Sequence, residues 1–227
     1  MPTPTPDFEK EFIQAIRANL LEVIIQLDAG DKNLRKKIDT FSSRFKFLKS
    51  EVEKKIREDN MFRAVFSKDP GKQKIHENIA ARFIEKLPQV SDFNQLSHNG
   101  LQLLGGTVIS RKDARIGGGV SRAKSIDFTW NSSVYKIYAA HKYTKNSGGA
   151  QDNQYRDLQV FIREANDSNL KNTVFLAIAD GGYYQMNDSE TGTTKLQRLK
   201  RLANKENVFA MPIDELESFL VELSSKN

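Results

Sequence analysis

Near residue 100 the spacing of apolar residues changes from three or four to two, so a helical part of the chain gives way to one built on strands. Before the change, Phe8, Phe12, Ile16, Leu20, Val23 and Leu27 fall on one helical stripe, which the segment from Asp28 through Gly30 ends. A second, strongly charged stripe of Leu34, Ile38, Phe41, Phe45, Leu48, Val52 and Ile56 predicts one further helix over residues 33–59. The two form a helical hairpin, read as scaffold or dimer surface ahead of direct contact with a ligand. A turn at Pro70 and Gly71 leads to a helix over 72–87, with Ile75, Ile79, Phe83 and Leu87 inward and Pro88 at its end.

Beyond residue 100 the segments are shorter. Residues 101–109 read as an apolar strand interrupted at Gly105 and Gly106, followed by a basic loop. Residues 125–130 alternate cleanly, 131–133 turn, and 134–143 return as the second arm of a hairpin. A helix over 150–165, a buried strand over 172–180, a helix over 195–204, a strand over 208–211 and a helix over 213–223 complete the chain. From residue 72 the order is α, β, β, β, α, β, α, β, α, which predicts an α/β fold: a mixed β-sheet flanked by helices, with an N-terminal helical addition. The expected division is 1–66 for the helical region, packed on the core, and 67–227 for the core.

Composition narrows the chemistry. Apolar residues make up 38% of the 227, enough for a real core. There is no cysteine, and His76, His98 and His141 are too few for a structural zinc site, so any metal is expected on oxygen ligands. No apolar run reaches the ~18 residues of a membrane helix, and the N-terminus lacks the pattern of a signal peptide, so the expectation is a cytoplasmic protein with no membrane partner. Thirty-five Lys and Arg against 29 Asp and Glu leave a net charge of +6, compatible with a polyanionic partner or with solubility alone.

One residue breaks the apolar pattern where chemistry is expected. Asp127 stands alone in the strand 125–130; alternation puts Ile126, Phe128 and Trp130 on one face and Asp127 on the other. On the returning strand Tyr138, Ala140 and Lys142 share a face, so the hairpin can gather Asp127, Ala140 and Lys142 around one small site. The plain alternatives are a satisfied buried carboxylate and an ordinary edge-strand lysine.

An acid within one strand, a lysine near the end of the next, then a glycine-containing loop and a helix resembles the PD-(D/E)XK nucleases, by order of elements over residues 72–223. The segment from Lys142 to Gln154, with Gly148 and Gly149, looks like its counterpart in type II restriction endonucleases. The resemblance implies a restriction-endonuclease-like core that cleaves double-stranded DNA at specific sites with Mg²⁺, Mn²⁺ substituting, as a homodimer of a restriction-modification system. It casts Asp127 as the first metal-binding acid and Lys142 as the lysine that orients the attacking water. The second acid would stand at position 140, which is alanine here. Three readings follow: Ala140 marks an inactivated variant, the second acid has moved to the following helix as Asp157, or the chain is a silent relative that only binds DNA. Glu77 resembles the acid on the first core helix that supports the metal; its plain reading is a solvated residue paired with Lys72 or Lys74. For DNA contact the resemblance and residue types point to Lys145 for phosphates, Asn146, Gln151, Asn153 and Gln154 for base edges, and Arg111, Arg115, Arg122 and Lys124 flanking the first acid. A DNA-repair or junction-resolving nuclease is the nearest rival.

Overall fold

A computed structural model describes residues 3–97, 100–116, 123–188 and 192–225. The chain forms two compact units, Asp7–His76 and Glu77–Asn227. The leading segment belongs with the second unit, where the Thr3 backbone N–H donates to Glu217 Oε2 at 2.8 Å. The division lies ten residues beyond the expected one because His76 stacks on Phe12 at 5.4 Å between ring centroids and meets Phe8 at 6.1 Å. These aromatic contacts hold the chain through His76 in the helical unit.

The helical unit contains α1 (Phe8–Asp28), α2 (Lys32–Phe45), α3 (Lys49–Glu58) and α4 (Asn60–Ala64). Side-chain carboxylates of Asp7, Asp31 and Asp59 cap α1, α2 and α4 by accepting from the first free backbone N–H groups. Val23, Leu34, Ile38, Val52, Ile56 and Phe66 form its core. The single helix expected over 33–59 is broken after Phe45. Lys46 takes a left-handed conformation (φ 61°), and the Phe47 N–H turns back to the Ser42 carbonyl at 3.2 Å. Apolar residues keep their phase across the break, which is why the spacing reads as one helix, yet Phe45 and Leu48 are exposed.

The second unit begins within α5 (Ile75–Glu85) and continues through β1 (Ser91–Gln95), β2 (Leu101–Leu104), β3 (Thr107–Ser110), α6 (Arg111–Ile116), β4 (Lys124–Ser125), β5 (Phe128–Ser132), β6 (Tyr135–Tyr143), α7 (Gly149–Asn166), β7 (Thr173–Asp180), α8 (Lys195–Leu202), β8 (Val208–Met211) and α9 (Leu216–Ser225). The expected mixed sheet is present, with strand order β1-β5-β6-β7-β8, antiparallel up to β6 and parallel from β6 to β8. All eight residues of β7 are buried, as a strand inside such a sheet requires. A second, three-stranded sheet has the order β3-β2-β4.

The edge strand β1 is unexpected, and three further features differ from expectation. The strand expected over 101–109 is the β2–β3 hairpin, folded at Gly105 and Gly106. The basic residues from Arg111 open α6 instead of a loop. The strand expected over 125–130 is two: β4 belongs to the small sheet, β5 to the large one, and Ile126 and Asp127 cross between them. The Ile126 N–H donates to Leu101 O at 3.1 Å and the Asp127 N–H to Ala139 O at 2.8 Å. Ile126 therefore joins the cluster of Ala140, Leu158 and Phe161, while Phe128 meets the His141 ring on the opposite face. Among the described residues, no helix is long and apolar enough to cross a membrane.

Tyr155, Tyr183 and Tyr184 meet edge to face in the core of this unit. Burial, reinforced by the neighbouring Asp188 carboxylate, pushes the Tyr155 phenol up to about 12, and burial raises Tyr183 and Tyr184 as well. A phenol with a raised folded pKa stabilises the fold below the unfolded value near 10 and ceases to do so as pH climbs through its folded value. The denaturant midpoint is therefore expected to fall between about pH 10 and about pH 12, and to fall less steeply in Tyr155→Phe. Equal pH dependence in the two proteins, followed by circular dichroism, contradicts this assignment.

Candidate active site

The crossing from β4 to β5 delivers Asp127 to β6. The residue is 7% exposed, and its Oδ2 accepts from the His141 backbone N–H at 2.9 Å and from Lys142 Nζ at 3.3 Å. Period-2 alternation along β6 puts the Lys142 side chain on the face of Ala140 and turns the His141 ring to the other face. There His141 Nε2 lies 3.0 Å from Asp180 Oδ2, while Asp180 Oδ1 accepts from the Ile213 N–H at 2.8 Å. The end of β6 is thus fixed twice: the His141 amide holds Asp127 and its ring is anchored to β7.

On the Lys142 face lies a cavity of about 200 Å³. Its polar wall comprises Gln102, Arg111, Lys124, Ser125, Lys142 and Asp157. Ala140, Leu158 and Phe161 supply the apolar part. Three cations face one carboxylate there, and that carboxylate, Asp157 Oδ1, is 2.7 Å from Lys124 Nζ. Asp127 joins the group through Lys142. Such a wall attracts an anion, and its apolar base lowers the local dielectric that screens the attraction.

The structure gathers part of the set singled out in the sequence. Asp127 touches Lys142, while Ala140, Lys142, Asp157, Arg111 and Lys124 line one cavity. Glu77 does not line it; its Oε1 accepts from Gln95 Nε2 at 3.3 Å, beside the edge strand β1. Lys145, Asn146 and Asn153 are exposed on the loop after β6 and the first turn of α7, and Gln151 is half-buried. Gln154 is half-buried, and its Oε1 accepts from Thr144 Oγ1 at 2.8 Å, which braces that loop. Arg122 and the side chain of Arg115 lie outside the described residues.

Two polar cavity residues escape a reading of the sequence. Gln102 and Ser125 pair across β2 and β4 in the small sheet, and Gln102 Oε1 is buried with no hydrogen-bond partner among the described residues. A glutamine inside the apolar run Leu101–Leu104 is the available signal, because a buried amide calls for a partner.

Among the described residues no three histidine, aspartate or glutamate side chains cluster as a metal site. Magnesium is commonly held by one or two carboxylates with substrate phosphate oxygens and water completing its shell. Two carboxylates are at hand: Asp127, which touches Lys142, and Asp157, which lines the cavity with Lys142. Comparisons with protein-family models, with curated proteins and with solved structures find no match for this chain.

Proposed function

We propose that the chain is a site-specific, divalent-metal-dependent endonuclease that hydrolyses double-stranded DNA in the manner of type II restriction endonucleases, acting in the cytoplasm as a homodimer. The observation that carries this reading is the contact of Asp127, in the crossing from β4 to β5, with Lys142 on β6, beside a cavity lined by Lys142, Arg111 and Lys124. A phosphodiester is anionic before it reacts and gathers more negative charge as water attacks. Arg111 and Lys124 neutralise it by binding its oxygens. The Lys142 ammonium, steadied by Asp127, donates to and orients the attacking water. The His141 N–H keeps the Asp127 carboxylate aimed as the site fills. Asp127 and Asp157 would hold Mg²⁺, which supplies charge neutralisation and lowers the pKa of bound water. Asp157 takes the duty of the missing acid because α7 presents it to the cavity beside Ala140, where a strand carboxylate would otherwise stand. Two-fold pairing of two chains offers one site for each DNA strand and a palindromic target.

Ala140 also favours a second reading, a protein that binds DNA without cutting it. The test is incubation of the unaltered chain, Asp157→Ala and Ala140→Glu with mixed-sequence plasmid DNA and Mg²⁺ or Mn²⁺, followed by sequencing of fragment ends. Discrete ends from the unaltered chain, lost in Asp157→Ala, are expected. Cleavage by Ala140→Glu alone returns the second acid to β6 and leaves Asp157 as the ion-pair partner of Lys124. DNA binding without cleavage by any of the three installs the silent reading instead.

A further inference from the structure

The charge of the chain is concentrated where the cavity is not. Between Lys32 and Glu58, the span of α2, its turn and α3, there are ten Lys and Arg against four Asp and Glu. This difference of +6 equals the net charge of the whole protein, so the other 200 residues are balanced, 25 cations to 25 anions. All ten cationic side chains are exposed. A solvated helix face is usually of mixed sign; with the capping Asp31 and Asp59 counted the hairpin still holds ten cations against six anions, Lys49 and Arg57 among the cations being paired with Asp39 and Asp28, and this local excess is a separate electrostatic feature.

The turn of the same hairpin adds a second feature. Phe45, Phe47 and Leu48 are 51%, 53% and 66% exposed, flanked by Arg44, Lys46 and Lys49. The tip is held in place: Lys46 adopts its left-handed conformation, and the Phe41 ring contacts those of Phe45 and Phe47 at 4.7 and 6.2 Å. Arg44 sits over the Phe45 ring at 5.5 Å. Exposed rings cost hydration unless something apolar or stacked covers them, and the flanking cations favour a cover that is also a polyanion.

We infer that the α2–α3 hairpin is a second DNA-binding element, its cations on the phosphates and its Phe45–Leu48 tip in the minor groove. At 1.5 Å per residue the 14 residues of α2 extend about 21 Å, over which a duplex presents roughly a dozen phosphate charges. An apolar wedge framed by Lys and Arg is how minor-groove binders combine backbone affinity with a grip on the base steps. The inference shares its partner with the cleavage reading but none of its residues.

The experiment measures binding of the full chain to a short fluorescent duplex by anisotropy, from about 50 to about 200 mM salt. Lys36→Ala/Lys54→Ala/Lys55→Ala, at exposed positions, is expected to melt like the unaltered chain and to lower the slope of log affinity against log salt by about three, close to one per lost phosphate contact. Phe47→Ser is expected to weaken binding about fivefold or more, the lower end of an aromatic contact to a base, with the slope unchanged. An unchanged slope in the triple variant overturns the inference. So does binding of the unaltered chain to phosphatidylserine vesicles that the triple variant loses while its DNA slope stays put, which would make the occupant a membrane surface. Lys124→Ala/Lys142→Ala separates the two readings. A slope lowered in the hairpin variant, with no cleavage from any version, leaves the hairpin standing and the cleavage reading fallen. Cleavage lost in the cavity variant, with no effect of the hairpin variant on binding, does the reverse.

Discussion

Asp127→Asn is expected to slow metal-dependent DNA cleavage by about a thousandfold or more while the chain stays folded. The two effects separate because the carboxylate has two kinds of partner. The His141 N–H needs only an acceptor, and the asparagine carbonyl can occupy the place of Oδ2, 2.9 Å from that N–H. Lys142 is 25% exposed and keeps part of its hydration, so exchanging the charged partner of this half-buried pair for a neutral one costs the fold about 1.5 to 3 kcal/mol, less than the stability of a typical domain. Catalysis has no such substitute. An amide does not hold Mg²⁺ as a carboxylate does, and loss of ~4 kcal/mol of charge stabilisation at the transition state corresponds to about three orders of magnitude in rate. Single-turnover cleavage and a thermal melt check both halves. A steep drop in melting temperature accompanied by loss of DNA binding identifies Asp127 as a structural carboxylate and removes it from the chemistry.

The contact between Asp127 and Lys142 is legible because it depends on period-2 alternation within one hairpin, which sequence expresses directly. The same holds for β6, α7 and β7, whose lengths and apolar runs leave little choice. Illegibility begins where tertiary context decides. The polar β1 strand, Ser91–Gln95, has one apolar residue and is held as a sheet edge by β5, so no alternation announces it. The passage from β4 to β5 falls between residues that alternate without a fault, and only pairing of β4 with β2 shows that the strand changes sheets. For that reason alternation alone puts Ile126 on the wrong face and leaves Gln102 and Ser125 unmarked as cavity residues. In the helical unit, Lys46 lies within an unbroken stripe, and lysine in a left-handed turn carries no mark that glycine would have given. A net charge taken as one number is compatible with a polyanionic partner or with solubility alone, although the position of every Lys and Arg is in the sequence and the excess belongs to residues 32–58.

Gly181→Ala is expected to destabilise the chain by about 3 kcal/mol or more and to lower the melting temperature by roughly 6 to 12 °C. Gly181 follows β7 with φ 100°, outside the range L side chains readily adopt, and a Cβ there would stand 2.3 Å from the Thr144 carbonyl oxygen. Backbone is the obstacle, so no side-chain rotation relieves it. Thr144 is itself pinned: its N–H donates to Asp180 O at 2.7 Å and its carbonyl accepts from the Tyr183 N–H at 3.1 Å. Its hydroxyl also reaches Gln154 on α7. Pushing Thr144 aside therefore pulls on the end of β6, two residues after Lys142, and on the loop that leads into α7. Gly105→Ala is the control, since Gly105 has φ 54° and a methyl group added there would meet nothing within 4 Å, so left-handed strain alone is expected to cost about 1 kcal/mol. Thermal melts of the two variants decide the matter. A loss in Gly181→Ala no larger than in Gly105→Ala means that Thr144 yields and that the close approach of the β6 and β7 ends does not constrain the fold.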